Sequence, residues 1–405
     1  MIKASLIEKI FKSAFISRWN DYPRTLNLVE LDKQAHKFII AYFLASFEKD
    51  ADLRYIIEGG IFEFLSRIVI TDIRPDVFHQ IQKTKKNELN GLILAQLEKD
   101  IDDIEDGKFL CRFADFLQSK DHKKECLILK AAGYLATRWE FNLVYNASKF
   151  LSDIEELKTN VEAELEDYYE LIGVRKIVMN KKLAKIIDLG GRLRFQKRWT
   201  QTPRVPETSV LGHMLIVAIL SYFYSLEVKA CDSRLIHNFF CALFHDLPES
   251  LTRDIISPVK YGINGIDEII NEYEMRLIDE KILPFVPENI KDDFAYILGI
   301  RKIENKFVKN EFENRIFTDG EAKFKDGSMN SANTDELNAI DGKAIKFCDK
   351  IAALFEAGIS ISYGIKSNEL VKAYEGMNDF FENNKSIENV NFNRICKDFK
   401  EYLNL

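Results

Sequence analysis

The chain has 405 residues, of which 46% are hydrophobic and 30% are charged. This composition is that of an ordinary globular protein long enough for two domains, and it excludes a chain that is disordered throughout. The formal net charge of −7 comes from 57 basic and 64 acidic residues interspersed along the sequence, so neither an extended nucleic acid nor an anionic membrane is an expected partner.

The N-terminal segment "MIKASLIEKIFKSAF" mixes Lys and Glu with apolar residues at helical spacing. It lacks the apolar core and the cleavage site of an export signal, and we expect no membrane-spanning helix elsewhere. The six cysteines show no CxxC spacing, and several lie in apolar runs such as "FFCALF". We therefore predict buried free thiols and a cytoplasmic protein.

Apolar residues recur at spacings of three and four, which predicts an all-α fold. The predicted helices include 36–47, 126–144, 208–226, 234–247, 266–283 and 343–358. Segment 150–175 predicts a charged helix that joins two halves, whereas 318–342, rich in Gly, Asn, Ser and Asp, predicts a long loop.

A short motif occurs twice, as "RWNDYPR" from Arg18 and as "RWTQTPR" from Arg198. Each copy is followed by a histidine on an apolar helix, His36 in the first case and His213 in the second. Segment 62–80 then aligns with 244–262 without a gap. Similar blocks in the same order indicate a duplication. We predict two tandem helical bundles, residues 1–175 and residues 176–405.

The two copies differ in the residues that carry chemistry. The second copy has His245, Asp246 and Glu249 where the first has Glu63, Phe64 and Arg67. The first bundle is therefore predicted to be degenerate and non-catalytic.

His245-Asp246 alone is a weak signal, because a histidine at the end of a helix is more often a capping or core residue. The pattern gains weight from His213 on one apolar helix and Asp349 on another, since an unpaired buried carboxylate is costly. Two imidazoles and two carboxylates suit one divalent ion among Mn, Co, Fe, Ni, Mg and Zn. Adjacent His and Asp side chains share such an ion only where several helices meet.

The chain resembles the HD-domain phosphohydrolase superfamily and most closely its bacterial 5′-deoxynucleotidase branch. The resemblance rests on these motifs and on the segments "RWTQTPRVPETSVLGHM" and "HDLPESLTRDIISPVKY". The resemblance covers roughly residues 180–365, and its first-half counterpart is degraded. It implies that His213, His245, Asp246 and Asp349 hold one metal ion. It also implies that Glu249 and Asp254 stand beside the water that attacks phosphorus, and that Arg198 faces the substrate phosphate.

Two of the surrounding residues have a second interpretation. Trp199 could be a surface on which a base stacks or a core side chain, and Asp254 could be a catalytic carboxylate or an N-cap before "IISPVK". Pro248 removes a backbone donor, so the helix is predicted to kink or restart there and to aim Glu249 differently.

The expected function is hydrolysis of a small nucleotide, with a nucleoside or deoxynucleoside 5′-monophosphate as the leading substrate. A nucleoside triphosphate or a cyclic nucleotide would use the same site. An alternative of another class is a sensor or scaffold that binds a nucleotide without hydrolysing it. The protein is expected to be a monomer or a homodimer, and the first bundle could take the place of a partner subunit.

Overall fold

The structure, a computed structural model, describes residues 2–119, 122–253, 265–303 and 306–405. It consists mainly of α-helices connected by short 3₁₀ turns and a few short strands, which confirms the predicted all-α class. Asp254 lies outside the described residues.

The first half contains eight helices in its described part. They are α1 (Ala4–Lys12), α2 (Glu30–Ala45), α3 (Leu53–Ile70), α4 (Pro75–Ile101), α5 (Lys108–Gln118), α6 (Lys123–Ser148), α7 (Ile154–Glu164) and α8 (Ile172–Val178). Helices α7 and α8 occupy the segment predicted to be a charged helical connection.

The second half continues with helices that include every one predicted from its apolar spacing. They are α9 (Lys182–Arg192), α10 (Val210–Glu227), α11 (Asp232–Phe244), α12 (Glu249–Thr252), α13 (Ile266–Lys281), α14 (Lys291–Ile297), α15 (Gly342–Ser362), α16 (Asn368–Asn383) and α17 (Phe392–Leu403).

The strands form small antiparallel pairs. They are β1 (Ser17–Arg18) with β2 (Leu28–Val29), β3 (Ile300–Ile303) with β4 (Lys306–Lys309), β5 (Asn314–Thr318) with β6 (Glu321–Phe324) and β7 (Ile340–Asp341), and β8 (Ser386–Ile387) with β9 (Val390–Asn391).

The long loop predicted at 318–342 is wrong at its start, because β5 and β6 form a hairpin there. Thr318 pairs with Glu321, so the turn consists of Asp319 and Gly320, whose φ angles are 56° and 77°. Asp-Gly supplies the two positive φ angles that a two-residue hairpin turn needs. The sequence contained this signal.

Helix α10 is long and apolar enough to cross a membrane, but 94% of its 18 residues are buried inside the protein. It is therefore a core helix. Its first turn is capped by Ser209, whose Oγ accepts a hydrogen bond from the Gly212 N–H at 2.9 Å. This cap fixes the start of the helix that carries His213.

One continuous hydrophobic core includes side chains from Ile2 to Phe399 and so joins the two halves. Phe38 on α2 packs against Phe239 on α11, with ring centroids 5.2 Å apart. Tyr42 on α2 packs against Phe240 at 4.6 Å. The chain on both sides of residue 175 contributes to this core. The domain boundary at that residue therefore stays a prediction, which rests on the sequence duplication.

Several elements of the first half recur 180 residues later. The 3₁₀ turn Ser13–Phe15 corresponds to Leu193–Phe195, and α2 begins at Glu30 where α10 begins at Val210. The strand pairing of Ser17 with Val29 recurs as a bridge between Lys197 and Ser209. Trp19 and Trp199 both have positive φ angles, 54° and 58°. This regularity supports the proposal of a tandem duplication.

The same interval corrects one pairing made from the sequence. His36 was matched with His213 because both are histidines on apolar helices, although their distances from the Arg-Trp motif differ. An interval of 180 residues places Lys33, and not His36, at the position of His213.

Candidate metal centre

His213 lies in the second turn of α10 and is fully buried. Its Nε2 is 2.9 Å from Oδ1 of Asp349, which is on α15. Its Nδ1 lies 3.5 Å from Oε1 of Glu356, two turns further along the same helix. The two nitrogens of this ring therefore face two different carboxylates.

His245 and Asp246 lie in the turn that follows the end of α11 at Phe244. Nδ1 of His245 is 2.7 Å from the carbonyl oxygen of Ala242, so this nitrogen carries the hydrogen and donates it. Nε2 is then the nitrogen with a lone pair, and it lies 3.1 Å from Oδ2 of Asp246. This is the tautomer that a metal ligand needs.

Ligand atoms of His213, His245 and Asp246 all lie within 4.8 Å of one another. The contact between His213 and Asp349 adds a carboxylate to this group from a third helix. The donors are nitrogen and oxygen atoms, which is a set that divalent transition metals accept. The donor types of the four residues therefore suit a single metal ion, and the distances bring three of them together, with Asp349 joined through His213.

The charges of the group agree with a cation site. Burial acts to raise the pKa of Asp246, but the adjacent His245 outweighs it and holds this pKa well below its ordinary value. The pKa of Asp349 is likewise lowered by His213 against the effect of burial. Burial acts to lower the pKa of His245, but Asp246 raises it to about 9. Both carboxylates are thus ionised, and the raised pKa of His245 shows that their negative charge favours a positive charge at this nitrogen, here a proton that a metal ion would displace.

Glu356 is a site residue that the sequence analysis missed. Its carboxylate is fully buried and receives hydrogen bonds from Trp199 Nε1 at 2.7 Å, from Thr208 Oγ1 at 2.8 Å and from Arg198 Nε at 3.2 Å. With Nδ1 of His213 also facing it, Glu356 links the Arg-Trp motif to the metal-ligand group.

Arg198 and Trp199 lie beside the candidate centre. The side chain of Arg198 is 16% exposed, and its charge contributes to the lowered pKa values of Asp246 and Asp349. The Trp199 indole packs against the core and donates to Glu356, which is how a core tryptophan behaves. Its role in substrate binding stays a prediction.

Glu249 begins α12, so the helix does restart after Pro248, as predicted. The Glu249 side chain is buried. The backbone N–H of Glu249 donates to the Asp246 carbonyl at 3.0 Å, and the backbone carbonyl of Glu249 accepts from Gln196 Nε2 at 2.8 Å. These bonds hold α12 against the His245-Asp246 turn.

Residues 190–378 match the family model described as HD domain. The match covers a little less than half of the chain, and this segment is similar to an HD domain. Within it lie His213, His245, Asp246 and Asp349, together with Glu356.

Curated relatives match the same half of the chain. A 5′-deoxynucleotidase of Vibrio atlanticus is 29% identical over 124 residues, which is 29% of this chain and 63% of the relative. One of Cronobacter sakazakii is 30% identical over 128 residues, with 30% and 59% covered. One of Escherichia coli is 29% identical over 115 residues, with 26% and 55% covered. The match thus spans little more than half of each of these relatives.

A solved HD-domain phosphohydrolase of Listeria innocua is 21% identical to this chain, with a TM-score of 0.36. The superposition covers 55% of this chain and 85% of that protein.

The first half presents different chemistry at the positions that correspond to the candidate metal ligands of the second half. Lys33 corresponds to His213, and Glu63 and Phe64 correspond to His245 and Asp246 in the sequence alignment. Glu140 receives bonds from Arg18 Nε at 2.8 Å and from Trp19 Nε1 at 3.2 Å, and so has the place of Glu356. The interval of 216 residues between these two glutamates places Gly133 at the position of Asp349.

Lysine ammonium groups occupy this region of the first half. A Cβ on Gly133 would lie 3.6 Å from Lys33 Nζ, and the buried Lys37 forms an ion pair with Glu63. Burial lowers the pKa of Lys33 to about 8, against the raising effect of Glu30. Within the described part of the first half, no group of metal-ligand side chains like that of the HD domain is found.

Proposed function

We propose that the chain is a divalent-metal-dependent phosphohydrolase that releases phosphate from a nucleoside or deoxynucleoside 5′-monophosphate. The observation that supports this most directly is the 2.9 Å contact between His213 Nε2 and Asp349 Oδ1. These two residues are 136 positions apart on helices α10 and α15, and they meet beside His245 and Asp246. Burying two imidazoles and two carboxylates together in a protein core is costly, and a bound cation would offset that cost.

In this proposal His213, His245, Asp246 and Asp349 hold one divalent ion. When bound, such an ion makes water a stronger nucleophile at neutral pH and withdraws charge from a phosphoryl oxygen. The protein holds the four donors in place. For His245, the hydrogen bond from its Nδ1–H to the Ala242 carbonyl oxygen fixes the direction of the ring.

Arg198 is assigned to the substrate phosphate. A guanidinium offers two parallel N–H donors to phosphate oxygens, which a lysine cannot do. Its Nε is held by Glu356 at 3.2 Å, so the rest of the group has a fixed direction. Trp199 is held by the same carboxylate and keeps this loop in position.

Glu249 is assigned to proton transfer, since its carboxylate lies on α12 immediately after the metal-ligand turn. A carboxylate beside the attacking water can accept its proton and later give one to the departing alcohol oxygen. The predicted role of Asp254 rests on the sequence resemblance alone.

The choice of a monophosphate rests on the relatives, which are named 5′-deoxynucleotidases. Triphosphates and cyclic nucleotides would meet the same metal-ligand set and remain the alternatives within this chemistry. In the first half, lysines lie at the position that corresponds to the proposed metal site of the second half. This loss of the site in one half favours one further possibility, a nucleotide sensor without turnover.

One experiment separates these functions. The full chain is incubated with deoxynucleoside 5′-mono-, 5′-tri- and 3′,5′-cyclic phosphates, with Mn, Co or Mg added, and inorganic phosphate and nucleoside are measured. Release of phosphate and nucleoside from the monophosphates, abolished by EDTA, is the expected result. Cleavage of the triphosphates or cyclic nucleotides alone would replace the substrate, and binding without any product would replace the enzyme by a sensor.

A further inference from the structure

A cavity of about 650 Å³ lies where the two halves meet. Its walls come from α6 of the first half, from α8 and α9, from α12, and from the end of α13 with the segment that follows it. None of the four metal-ligand residues lines it. It is large enough for a nucleotide-sized ligand.

The walls of this cavity carry an excess of positive charge. Among the lining residues that the structure describes, four are cations, Arg138, Lys185, Arg192 and Lys281, and one is a carboxylate, Asp188. Asp188 is already engaged, since its Oδ1 accepts from Trp139 Nε1 at 3.2 Å. Four cations against one carboxylate leave an excess of three charges, which favours an anion with several negative charges.

Two aromatic rings belong to the same walls, Trp139 from α6 and Phe285 from the segment after α13. Trp139 is held by Arg194, whose guanidinium lies 4.6 Å from the ring centroid, and by Phe195 at 5.9 Å. The ammonium of Lys185 lies 4.9 Å from the centroid of Phe285. Fixed aromatic rings beside cations suit a ligand that has both a planar ring and phosphate groups.

The cavity also touches the helix that carries a proposed catalytic residue. Leu251 lines the cavity, and Glu249 is two residues earlier on the same four-residue helix α12. Because α12 is so short, a ligand that presses on Leu251 also bears on Glu249.

From these observations we propose that the cavity is a second nucleotide site, separate from the metal centre, which binds a nucleoside polyphosphate and adjusts the position of α12. The polyphosphate meets the four cations and the base lies against Trp139. The binding step is independent of the function proposed above, whereas the effect on α12 rests on it.

Binding is measured by isothermal titration of the full chain with adenosine 5′-(β,γ-imido)triphosphate in EDTA, under which no hydrolysis occurs. We expect one saturable site per chain. The double variant Arg192→Gln/Lys281→Gln should weaken binding at least tenfold, because both side chains are exposed and their loss removes two of the four charges. Lys182→Gln, exposed on α9 but outside the cavity, is the matched control.

Trp139→Leu separates the base from the phosphates, since it should weaken binding of the nucleotide analogue and leave binding of inorganic triphosphate unchanged. Absence of saturable binding would overturn the proposal. So would binding that is lost in Arg198→Gln but unchanged in the cavity double variant, because the analogue would then occupy the metal centre.

The effect on α12 has its own measurement. Saturating analogue should change kcat/KM for monophosphate hydrolysis at least threefold in the wild type and not in the double variant. Binding with an unchanged rate would refute the coupling, and failure of hydrolysis itself would concern the proposed function and leave the binding result intact.

Discussion

Asp32 accepts a hydrogen bond from the hydroxyl of Ser209 at 2.6 Å. Asp32 belongs to the first half, and Ser209 caps the helix that carries His213 in the second. The first half therefore contacts the start of a helix in the candidate metal centre through a buried carboxylate.

This contact predicts a pH dependence of stability. Burial raises the pKa of Asp32 from its ordinary 3.8 to about 6, and the nearby Arg194 only partly opposes this. Between these two pH values the native state holds more protons than the unfolded state, so stability is full below about pH 4 and falls as the pH rises through 6. The gap corresponds to about 3 kcal/mol.

Asp32→Asn keeps an oxygen acceptor for Ser209 and removes the charge. We expect the variant to be more stable than the wild type at pH 7 by up to about 3 kcal/mol, with the two curves meeting near pH 4. Urea unfolding between pH 4 and pH 7 measures this difference. Parallel curves for the two proteins would show that Asp32 does not titrate in this range.

Gly212→Ala should destabilise the protein. A Cβ at this position would lie 2.8 Å from Asp32 Oδ1 and 2.9 Å from Leu31 Cδ2, so these buried side chains would have to shift. Overpacking of this kind costs about 1–3 kcal/mol. Gly376→Ala is the control, because Gly376 lies in α16 with nothing within 4 Å of its added Cβ and should gain up to about 1 kcal/mol. Equal unfolding midpoints for both variants would contradict the close contact.

Asp246→Ala should abolish both metal binding and turnover while the protein stays folded. Loss of a ligand removes several kcal/mol of transition-state stabilisation, so kcat should fall more than about 100-fold. Metal content by mass spectrometry, phosphate release and circular dichroism are measured together. Asp232→Ala removes an exposed carboxylate at the start of α11 and should change neither metal content nor rate. Activity at the wild-type level in Asp246→Ala would remove the metal assignment.

Glu356→Gln and Glu140→Gln form a matched pair. Both glutamates are fully buried and both hold an Arg-Trp pair, but only Glu356 faces a metal-ligand histidine. We expect both variants to unfold at lower temperature, and only Glu356→Gln to lower metal affinity or kcat/KM, by about 10–100-fold. A purely structural Glu356 would leave the Mn²⁺ dissociation constant equal in the two folded variants.

The metal stoichiometry tests the first half directly. Because Lys33 and Gly133 stand where the second half has His213 and Asp349, we expect about one ion per chain and no change in His36→Ala. Two ions per chain, with one lost in His36→Ala, would show that the first half has a metal site of its own.

Apolar periodicity predicted the helices well, because most of them bury one face in a shared core. The same reasoning singled out Asp349 as a carboxylate in an apolar helix. Applied consistently, it would also have found Glu356, which is seven residues later and so on the same face of α15. The meeting of His213 with Asp349 could be expected from the resemblance, whereas the bonds from Thr208 and Trp199 to Glu356 depend on a loop whose path the sequence does not reveal.

The comparison of the two halves failed at His36 for a related reason. Matching by residue type favours two histidines, but a strand pair and a helix start determine which positions correspond. Lys33 lies at the position that corresponds to His213 but is a different residue type. A search for identical residues could therefore not pair the two.

Residues 32 and 212 are 180 positions apart and touch each other, as two copies of one position would at the axis of a symmetric dimer. In such a dimer a single gene sets both sides, so two aspartates would repel each other and two glycines would leave a gap. A single chain that contains both copies escapes this constraint, because one side can keep the bulk and the other can make room for it. Under the proposed duplication, each copy is thus free to specialise, one toward the proposed cation site and the other toward supporting its neighbour.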